Sequence, residues 1–474
     1  MIIGDETLLT GSGGELEHVN PSTGTVQASF PLAGPSEVDR AVAVSKAAQK
    51  KWGALPPAAR QAAIMKLADL IVARSREFSV INALEAGTPY RGYKALIENR
   101  IPAWFGYYAG WIEKILGDTL ELAPGRPFNF TTHEPVGVVV KILTWNSPLG
   151  NIYMSVVAAL SAGCSVIIKP PELAPFSAVL FGKLAREAGF PIGTVSVLPG
   201  GPEAGEALVR HIDVDKISFT GGVPTAKLIQ ASAAQGLTPL VMELGGKSAH
   251  IVFEDADLDK VVGQELSFCR LAGQVCTAPA RMIVHESLYD ETVKRIVSAF
   301  NNVKVGDPFD DTVDMGPVIS KGARERILGM VDRAVADGAT VESGGAISGG
   351  ELGKGYFLQP MLLTGAPNDS YIAQEEVFGP VATITSFRTD DEAIELANDS
   401  TFGLAGYVQT RDLDRALWAA SKLEVGNVGI NGGPAPASYN APFGGVKQSG
   451  YGREGGREGI MEFLRVKNVN IVLS

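Results

Sequence analysis

Short apolar runs and longer amphipathic segments alternate along much of this chain. From Pro135 to Gly246, the short runs are rich in β-branched residues and the segments between them are long enough for helices. This alternation is typical of a parallel sheet covered by helices. The predicted strands are residues 136–143, 165–169, 195–198, 216–219 and 240–243. The predicted helices between them are residues 150–161, 174–188, 203–211 and 224–235.

The loops that follow the predicted strands carry polar side chains and paired glycines. They contain Trp145-Asn146, Lys169 to Glu172, Gly200-Gly201, Gly221-Gly222 and Gly245-Gly246. Ligands of such sheets bind beyond the carboxyl ends of the strands. We therefore expect the functional site among these loops.

The remaining segments predict a second domain and an extension. A second alternation begins at His250 and continues beyond Gly429, which indicates another α/β domain. Residues 36–111 have helical periodicity with a break at Pro56-Pro57. The tail, residues 466–473, alternates like a strand. Because it has no evident partner in its own domain, it is a candidate for pairing with another subunit.

Composition narrows the class of protein. A length of 474 residues predicts two or three domains. A net charge of −11 argues against nucleic acid and anionic membrane surfaces as partners. Three cysteines are too few for a disulfide framework, and no His, Cys or carboxylate cluster suggests a metal, so we expect a reducing, cytoplasmic compartment and no metal. The acidic N-terminus does not resemble a signal peptide, and the most apolar stretch, 154–168, is too short to span a bilayer.

Cys276 is the candidate nucleophile. It lies in Gly273-Gln-Val-Cys276-Thr277, a turn-forming and mildly polar setting that suits a thiol meeting a small molecule. A single cysteine is more often a small buried apolar residue. Cys164 and Cys269, in apolar segments, keep that second interpretation.

Glu243 is the candidate base. It ends an apolar strand directly before Leu244-Gly-Gly-Lys247, and burial at that position would raise the pKa of its carboxyl group toward that of a general base. An ion pair with Lys247 is an equally good interpretation of the pattern alone. A thiol and a carboxylate together predict covalent catalysis, in which one residue attacks and the other activates water.

Seven blocks of sequence resemble the aldehyde dehydrogenase superfamily, in its order and over nearly the whole chain. They are Leu143 to Pro148, Lys169 to Glu172, Phe219 to Gly222, Met242 to Ser248, Gly273 to Cys276, Glu375 to Pro380, and Pro442 to Lys447 with Gly452 to Glu454. The resemblance implies two Rossmann-like α/β domains and a small β-strand oligomerisation extension. The implied segments are a cofactor-binding domain (1–116 and 137–245), a catalytic domain (246–445), and an extension with the C-terminal tail (117–136 and 446–474).

The resemblance also implies the catalytic roles. Cys276 attacks the aldehyde, and the Asn146 amide and the Cys276 backbone N–H stabilise the oxyanion. Hydride transfer to the nicotinamide leaves a thioester, and Glu243 activates the water that hydrolyses it. Where the family commonly has a lysine linked to proton movement, this sequence has Ser155, so the relay is left open between Glu454, water and Ser155.

The implied cofactor is NAD in preference to NADP. Its predicted contacts are Trp145, Lys169, Glu172, Gly221, Gly222, Gly245, Glu376 and Phe378. Glu172 decides the preference, because a carboxylate accepts hydrogen bonds from ribose hydroxyls but repels a 2′-phosphate. Lys169 acts against that preference. Without the resemblance, Glu172 would be interpreted as an acid at a helix start.

Substrate residues are predicted around the nucleophile. Arg270 has the spacing of a carboxylate clamp in semialdehyde-oxidising relatives, or it is a surface or interface arginine. Ser147 and Asn151 make the entrance polar, and Val275 and Thr277 flank the thiol. We expect a small polar or acidic aldehyde, with an aromatic aldehyde as the alternative.

Three other functions compete with this interpretation. Acyl transfer to coenzyme A would not need Glu243, and a catalytically silent homologue would not need Cys276 and Asn146. A thiol hydrolase would need a histidine, and His250 and His285 lie in no suitable motif. The resemblance implies a homodimer or a dimer of dimers.

Overall fold

The larger sheet has a parallel centre with antiparallel edges. The computed structural model describes residues 1–120, 128–433 and 438–471. In spatial order the strands of this sheet are Glu6–Thr7, Ile2–Ile3, Val195–Val197, Ser165–Lys169, Val138–Ile142, Lys216–Gly221, Leu240–Leu244 and Gly450–Tyr451. The central five are parallel to one another. They are the five strands predicted from the sequence, so that prediction is confirmed.

Burial on both faces explains why these strands are almost continuously apolar. All residues of Val138–Ile142 and Ser165–Lys169 are buried. The covering helices that were predicted are Phe176–Glu187, Pro202–Arg210, Val223–Ala233 and Pro148–Asn151, the last continuing through a π-helical turn, Ile152–Val156, into Val157–Ala162. A π-helical turn inside a helix often accompanies a functional site.

The smaller sheet begins at Ala249, as the second alternation predicts. Its strands in spatial order are Thr340–Ala346, Leu358–Thr364, Val381–Phe387, Arg281–His285, Ala249–Val252, Ala405–Gln409 and Asn427–Ile430. Its helices are Leu258–Ser267, Tyr289–Asn301, Lys321–Ala336, Tyr371–Gln374, Asp390–Asn398 and Leu413–Lys422, with short 3-10 turns at Phe268–Leu271, Glu286–Leu288 and Leu352–Lys354. Apart from the edge strand Thr340–Ala346, the strands run parallel.

The N-terminal region is helical, as predicted. A hairpin, Glu15–Asn20 with Thr25–Pro31, precedes helices at Pro35–Gly53, Pro57–Ala73, Ser75–Ala86 and Tyr90–Trp111. Pro57 occupies the first position of its helix, where the missing N–H removes no hydrogen bond. The predicted break at Pro56-Pro57 is therefore a helix start.

The expectation from the alternation pattern that the tail has no evident partner in its own domain was wrong, although the resemblance had grouped the tail with segment 117–136. Leu464–Ile471 pairs antiparallel with Phe128–Pro135, which pairs in turn with Thr119–Leu120. The register runs from Leu464 opposite Pro135 to Ile471 opposite Phe128, so one edge of the tail strand is fully paired within the chain. Residues 472 and 473 of the predicted strand lie outside the described residues.

The C-terminal segment returns to the larger sheet after the smaller one is complete. Val446–Lys447 pairs with Phe402–Gly403, and Gly450–Tyr451 then adds to the edge strand Leu240–Leu244. The helix Gly456–Met461 follows. This return carries residues from the end of the chain to the place where the two sheets meet. None of the helices within the described residues is long and apolar enough to cross a membrane.

Candidate active site

A cavity of about 2260 Å³ lies between the two sheets. One side, here called the sheet wall, consists of the strand ends of the larger sheet and the loops directly after them. The other side, the loop wall, consists of residues 271–277 and 375–378 of the smaller domain. Sixteen of the seventeen predicted site residues line it: Trp145, Asn146, Ser147, Asn151, Lys169, Glu172, Gly221, Gly222, Glu243, Gly245, Val275, Cys276, Thr277, Glu376, Phe378 and Glu454. Arg270 lies on the turn Phe268–Leu271, but its side chain is outside the described residues.

Close contact between two loops positions the candidate nucleophile. Ala272 and Gly273 have left-handed backbone conformations, with φ of 51° and 70°. A Cβ atom on Gly273 would overlap the carbonyl oxygen of Gly379, so only glycine permits this approach. The Gln274 side chain accepts a hydrogen bond from the Ile319 N–H at 2.9 Å and donates one to the Leu271 carbonyl at 3.0 Å. The loop that presents Cys276 is therefore fixed on both sides.

The environment of Cys276 favours the neutral thiol. Burial raises the pKa of the thiol above its ordinary value, and the nearby carboxyl groups of Glu243 and Glu376 raise it further. The backbone N–H groups of Cys276 and Thr277 partly oppose this rise. Without a bound ligand, Cys276 thus rests as a thiol and needs a base or a local charge to become a nucleophile.

Asn146 links the two walls. Its side-chain nitrogen, on the loop after Val138–Ile142, donates a hydrogen bond to the Gln274 carbonyl at 2.8 Å. An amide nitrogen carries two hydrogens, so one N–H remains to face an oxygen atom near Cys276. Residues from both walls can therefore donate to a single oxyanion.

Glu243 is a buried carboxyl group aimed into the cavity. It is 3% exposed, and its Oε1 atom has no hydrogen-bond partner among the described residues. Burial raises its pKa well above the ordinary value, and Glu454 raises it further, whereas Lys141 and Arg453 oppose the rise. The sequence had left an ion pair with Lys247 open. The structure does not form it, because the Lys247 Nζ atom is buried without a hydrogen-bond partner in the described part of the chain.

Lys141 is not among the described residues that line the cavity, but it pairs with one of them, and the sequence did not identify it. Its Nζ atom lies 2.7 Å from Glu454 Oε1, in an ion pair whose side chains are 1% and 5% exposed. The available signal was a lysine inside a run of buried strand residues, since a buried charge requires a partner. Ser155 does not belong to the described cavity lining, and its hydroxyl donates to the Asn151 carbonyl at 2.8 Å.

The cofactor end of the cavity fits a dinucleotide. The helix Val223–Ala233 begins at Gly222 without a side-chain cap, so its first N–H groups can meet a phosphate. Lys169 and Glu172 form a partly exposed pair at 3.4 Å, where they can meet a ribose. Together these groups provide donors for phosphate and acceptors for hydroxyls.

The opposite end of the dinucleotide site is formed by the loop wall. Glu376 accepts a hydrogen bond from the Gly246 N–H at 3.1 Å, and burial raises its pKa to about 7. A Cβ on Gly245 would occupy the position of the Glu376 carboxyl group. Trp145 and Phe378 face each other edge to face, with ring centroids 5.1 Å apart. These groups form a polar and aromatic site beside Cys276.

The substrate end is polar and includes an arginine that the sequence analysis did not identify. Arg100 lines the cavity together with Ser147 and Asn151, and it interacts with the Tyr153 hydroxyl. Leu96 also lines the cavity, and because it lies four residues before Arg100, both are on one face of the helix Tyr90–Trp111.

The histidines needed for a thiol hydrolase lie elsewhere. His250 is fully buried and its Nδ1 atom lies 2.6 Å from Glu265. His285 bonds to Ser287 near the surface. Neither is among the described residues that line the cavity, so the thiol has no histidine base there. The described residues include no group of three or more His, Cys, Asp or Glu that could hold a metal ion.

The fold and the site define a dinucleotide-dependent oxidoreductase that works through a thiol. Comparison with known proteins makes this specific. The sequence model of the aldehyde dehydrogenase family matches residues 9–469. Human retinal dehydrogenase 2 is 40% identical over 482 aligned positions, which cover 99% of this chain and 91% of that protein. The chain belongs to the aldehyde dehydrogenase family, and it oxidises an aldehyde to an acid with NAD(P).

Solved structures agree with this assignment. Betaine aldehyde dehydrogenase from Staphylococcus aureus, in complex with NAD+, superposes with a TM-score of 0.96 at 35% identity, covering 99% of this chain and 94% of that one. The NAD+ complex of aldehyde dehydrogenase from Bacillus cereus gives a TM-score of 0.95 at 38% identity, with coverage of 100% and 96%. The predicted fold class is therefore confirmed.

Proposed function

We propose that this chain oxidises a small polar or acidic aldehyde with NAD+ and water, using Cys276 as the nucleophile and Glu243 as the base that activates water. One observation carries the proposal: the thiol, the Asn146 amide and the buried Glu243 carboxyl group meet in the same cavity as the groups that fit a dinucleotide. This combination supports the coenzyme A-independent form of the reaction, because Glu243 can deliver water to a thioester.

Cys276 and Asn146 carry the first half of the reaction. The Cys276 thiol loses its proton to solvent as the sulfur adds to the aldehyde carbon. The carbonyl oxygen becomes an oxyanion, which accepts hydrogen bonds from the Asn146 side chain and the Cys276 backbone N–H. NAD+ bound at the cofactor end supplies the acceptor for the hydride that leaves the same carbon. Cys276 then holds the substrate as a thioester.

Glu243 carries the second half. Its carboxylate takes a proton from water while the water oxygen attacks the thioester carbon. The C–S bond breaks, the acid is released and Cys276 leaves as the thiolate. The raised pKa of Glu243 suits this role, because a stronger base accepts the proton more readily once it is ionised.

The cavity lining supports the substrate class. Ser147 and Asn151 offer polar contacts, and Arg100 brings a guanidinium group to the same end of the cavity. A guanidinium suits a carboxylate or a polar oxygen on the substrate. We also propose that Arg270 binds a carboxylate group of the substrate.

The test follows NADH formation with acidic, hydroxylated, aliphatic and aromatic aldehydes. We expect the wild type to prefer the acidic and hydroxylated aldehydes, Cys276→Ala to be inactive, and Cys269→Ala to stay active as the matched thiol control. Arg100→Leu and Arg270→Leu are each compared on acidic and neutral substrates. Activity in Cys276→Ala would refute the nucleophile, and a preference for aromatic aldehydes would refute the substrate class.

NAD is the proposed cofactor in preference to NADP. The Glu172 carboxylate supports this, because it would repel a 2′-phosphate while accepting hydrogen bonds from ribose hydroxyls. We expect Glu172→Gln to lower kcat/KM for NAD+ about tenfold or more. The ratio of kcat/KM for NAD+ to kcat/KM for NADP+ should also decrease. Wild type that uses NADP+ better than NAD+ would contradict the preference.

The proposed assembly is a homodimer or a dimer of dimers joined through segments 117–136 and 446–474, with the domain boundaries given above. The exposed strand Leu464–Ile471 supports this, because it lies at the edge of its sheet. Light scattering after size-exclusion chromatography tests it, and a monomer would contradict it.

A cytoplasmic location is also proposed, supported by three free cysteines and tested by cell fractionation.

A further inference from the structure

Three neighbouring strands place polar side chains on one face of the larger sheet. Lys141 lies opposite Ser218, and Thr220 lies opposite Glu243. Residues opposite each other in a sheet project to the same face, as do residues two apart in a strand. Lys141, Ser218, Thr220 and Glu243 therefore form a polar row across the strands, at the edge of the cavity.

The Lys141 ammonium group has a complete set of partners. Its three N–H donors match the Glu454 carboxylate at 2.7 Å, the Thr220 hydroxyl at 2.8 Å and the Ser218 hydroxyl at 3.1 Å. Two of these partners are rigid strand residues. The ammonium group is thus held at a fixed position, and its one anionic partner among these three is Glu454.

The segment from Phe443 to Glu454 brings Glu454 close to Glu243. The backbone of Glu454 exchanges two hydrogen bonds with Phe443, at 2.6 and 2.7 Å. The next residue, Gly444, lies against Glu243, whose Oε1 atom is 2.8 Å from the position that a Cβ would take. Both residues line the cavity, and both are buried.

Two buried carboxyl groups at such a site resist ionising together, because each negative charge disfavours the other. The other charged or titratable groups that act on the pair are Arg453, Tyr108 and Cys276. Lys141 is the ammonium group in hydrogen-bond contact with Glu454. Its charge lies beside both carboxyl groups, through the ion pair with Glu454 and through its lowering effect on the pKa of Glu243.

We propose that Lys141 holds Glu454 as the proton acceptor for Glu243, and is thereby the positioning residue of the proton relay that completes each turnover. This inference rests on the proposed role of Glu243. When water attacks the thioester, its proton goes to Glu243. The proton then passes through water to the Glu454 carboxylate and from there to solvent, so that both carboxylates are restored.

The test combines a charge deletion, a conservative replacement and a matched control. Lys141→Met removes the ammonium group at similar volume, and Lys141→Arg keeps the charge. Lys216→Met is the control, because Lys216 forms another ion pair, with Glu462 at 2.7 Å, on the adjacent strand. Neither of these two residues is among the described residues that line the cavity, whereas Glu454 is. Rapid mixing measures the NADH burst, and steady-state kinetics measure kcat against pH.

In Lys141→Met we expect a full NADH burst followed by slow turnover. Losing the cation removes a charge that lowers the pKa of Glu243, so the acidic limb of the kcat profile should move to higher pH by about one to three units. At a pH below the new limb, this is a loss of about tenfold or more in kcat. Lys141→Arg should restore the limb, and Lys216→Met should leave it at the wild-type position.

Two results would overturn the inference. The first is an acidic limb of the kcat profile that stays at the wild-type pH in Lys141→Met. The second is a shift of that limb in Lys216→Met as large as the shift in Lys141→Met. If Lys141→Met does not fold, as judged by its melting curve, Glu454→Gln decides the question. That variant should keep the burst and lose steady-state turnover, and wild-type turnover would refute the relay. Failure of the proposed function itself looks different, because wild type would then show no burst of NADH.

Discussion

The sheet wall and the loop wall of the cavity hold their side chains by different means. Glu243 and Lys141 on the sheet wall are placed by strand register, within backbone ladders that extend through the core. Cys276 and Phe378 on the loop wall depend on left-handed backbone at Ala272, Gly273 and Phe378 and on the contact of two loops. Backbone hydrogen bonds along several strands therefore hold the sheet wall, whereas the loop wall depends on a few close contacts between its two loops.

This difference divides the chemistry as well. In the proposed mechanism, the loop wall supplies the thiol that forms the covalent bond, and the sheet wall supplies the acid–base groups that break it. Asn146 crosses from one wall to the other. Variants in each wall should therefore stop the reaction at different stages, which the following experiments can separate.

The largest effect should come from the base of the sheet wall. We expect Glu243→Gln to lower kcat about a hundred- to ten-thousandfold, because the amide cannot take a proton from water. The NADH burst should keep its wild-type amplitude, since the loop wall is unchanged. Stopped-flow absorbance measures both. Loss of the burst would show that the two walls do not divide the reaction in this way.

The second-largest effect should come from Asn146, which links the two walls. Asn146→Ala removes one oxyanion donor, and we expect kcat/KM to fall about a hundred- to thousandfold. Asn146→Asp keeps the volume but replaces the donor with an oxygen, so it should be equally slow. An active Asp variant would mean that Asn146 acts through packing instead. Steady-state NADH formation distinguishes these outcomes.

Loop contact can be tested without touching a reacting group. Gly273→Ala should push the loop away from Gly379 and lower kcat about a hundredfold, the cost of displacing a reacting atom by about 1 Å. Gly189→Ala is the matched control. It also has a left-handed backbone, with φ of 90°, but an added Cβ meets nothing within 4 Å. We expect that control to lose stability in a melting curve while keeping kcat, and equal kinetic losses would argue against loop contact.

The smallest effect concerns the resting thiol. Because the pKa of Cys276 is raised, its thiolate fraction should increase about tenfold per pH unit up to pH 9, without a plateau near 8.5. Mass spectrometry of iodoacetamide alkylation measures this rate. Cys276→Ala corrects for Cys164 and Cys269, whose pKa values burial raises to about 12. A plateau below pH 8.5 would contradict the protonated resting state.

The sheet wall was largely predictable from the sequence, because periodicity locates parallel strands and their ends locate ligands. Glu243 could be placed at a strand end in this way. Lys141 could not, since its partner Glu454 is distant in the chain and only tertiary structure brings them together. A lysine among apolar residues indicates burial but does not name its counterion.

The residues of the loop wall could be predicted only from the family resemblance. The motif around Cys276 identified the thiol, but no periodicity could show that Gly273 packs against Gly379. Periodicity alone did not predict the pairing of the tail with Phe128–Pro135, and only the resemblance grouped the two segments in one extension. A strand with one short apolar face does not specify its partner, because many alternating segments match it equally well.

The return of Gly450–Tyr451 to the larger sheet also affects how the protein is made. The strand Leu240–Leu244 leaves the ribosome long before its edge partner, because the whole smaller sheet is translated in between. During that interval the nascent chain exposes an open strand edge, which is a template for aggregation and a target for chaperones. A chain released before residue 450 would lack Glu454 and keep that edge open. Such truncated products therefore differ from the full chain by an exposed strand edge that is prone to aggregation.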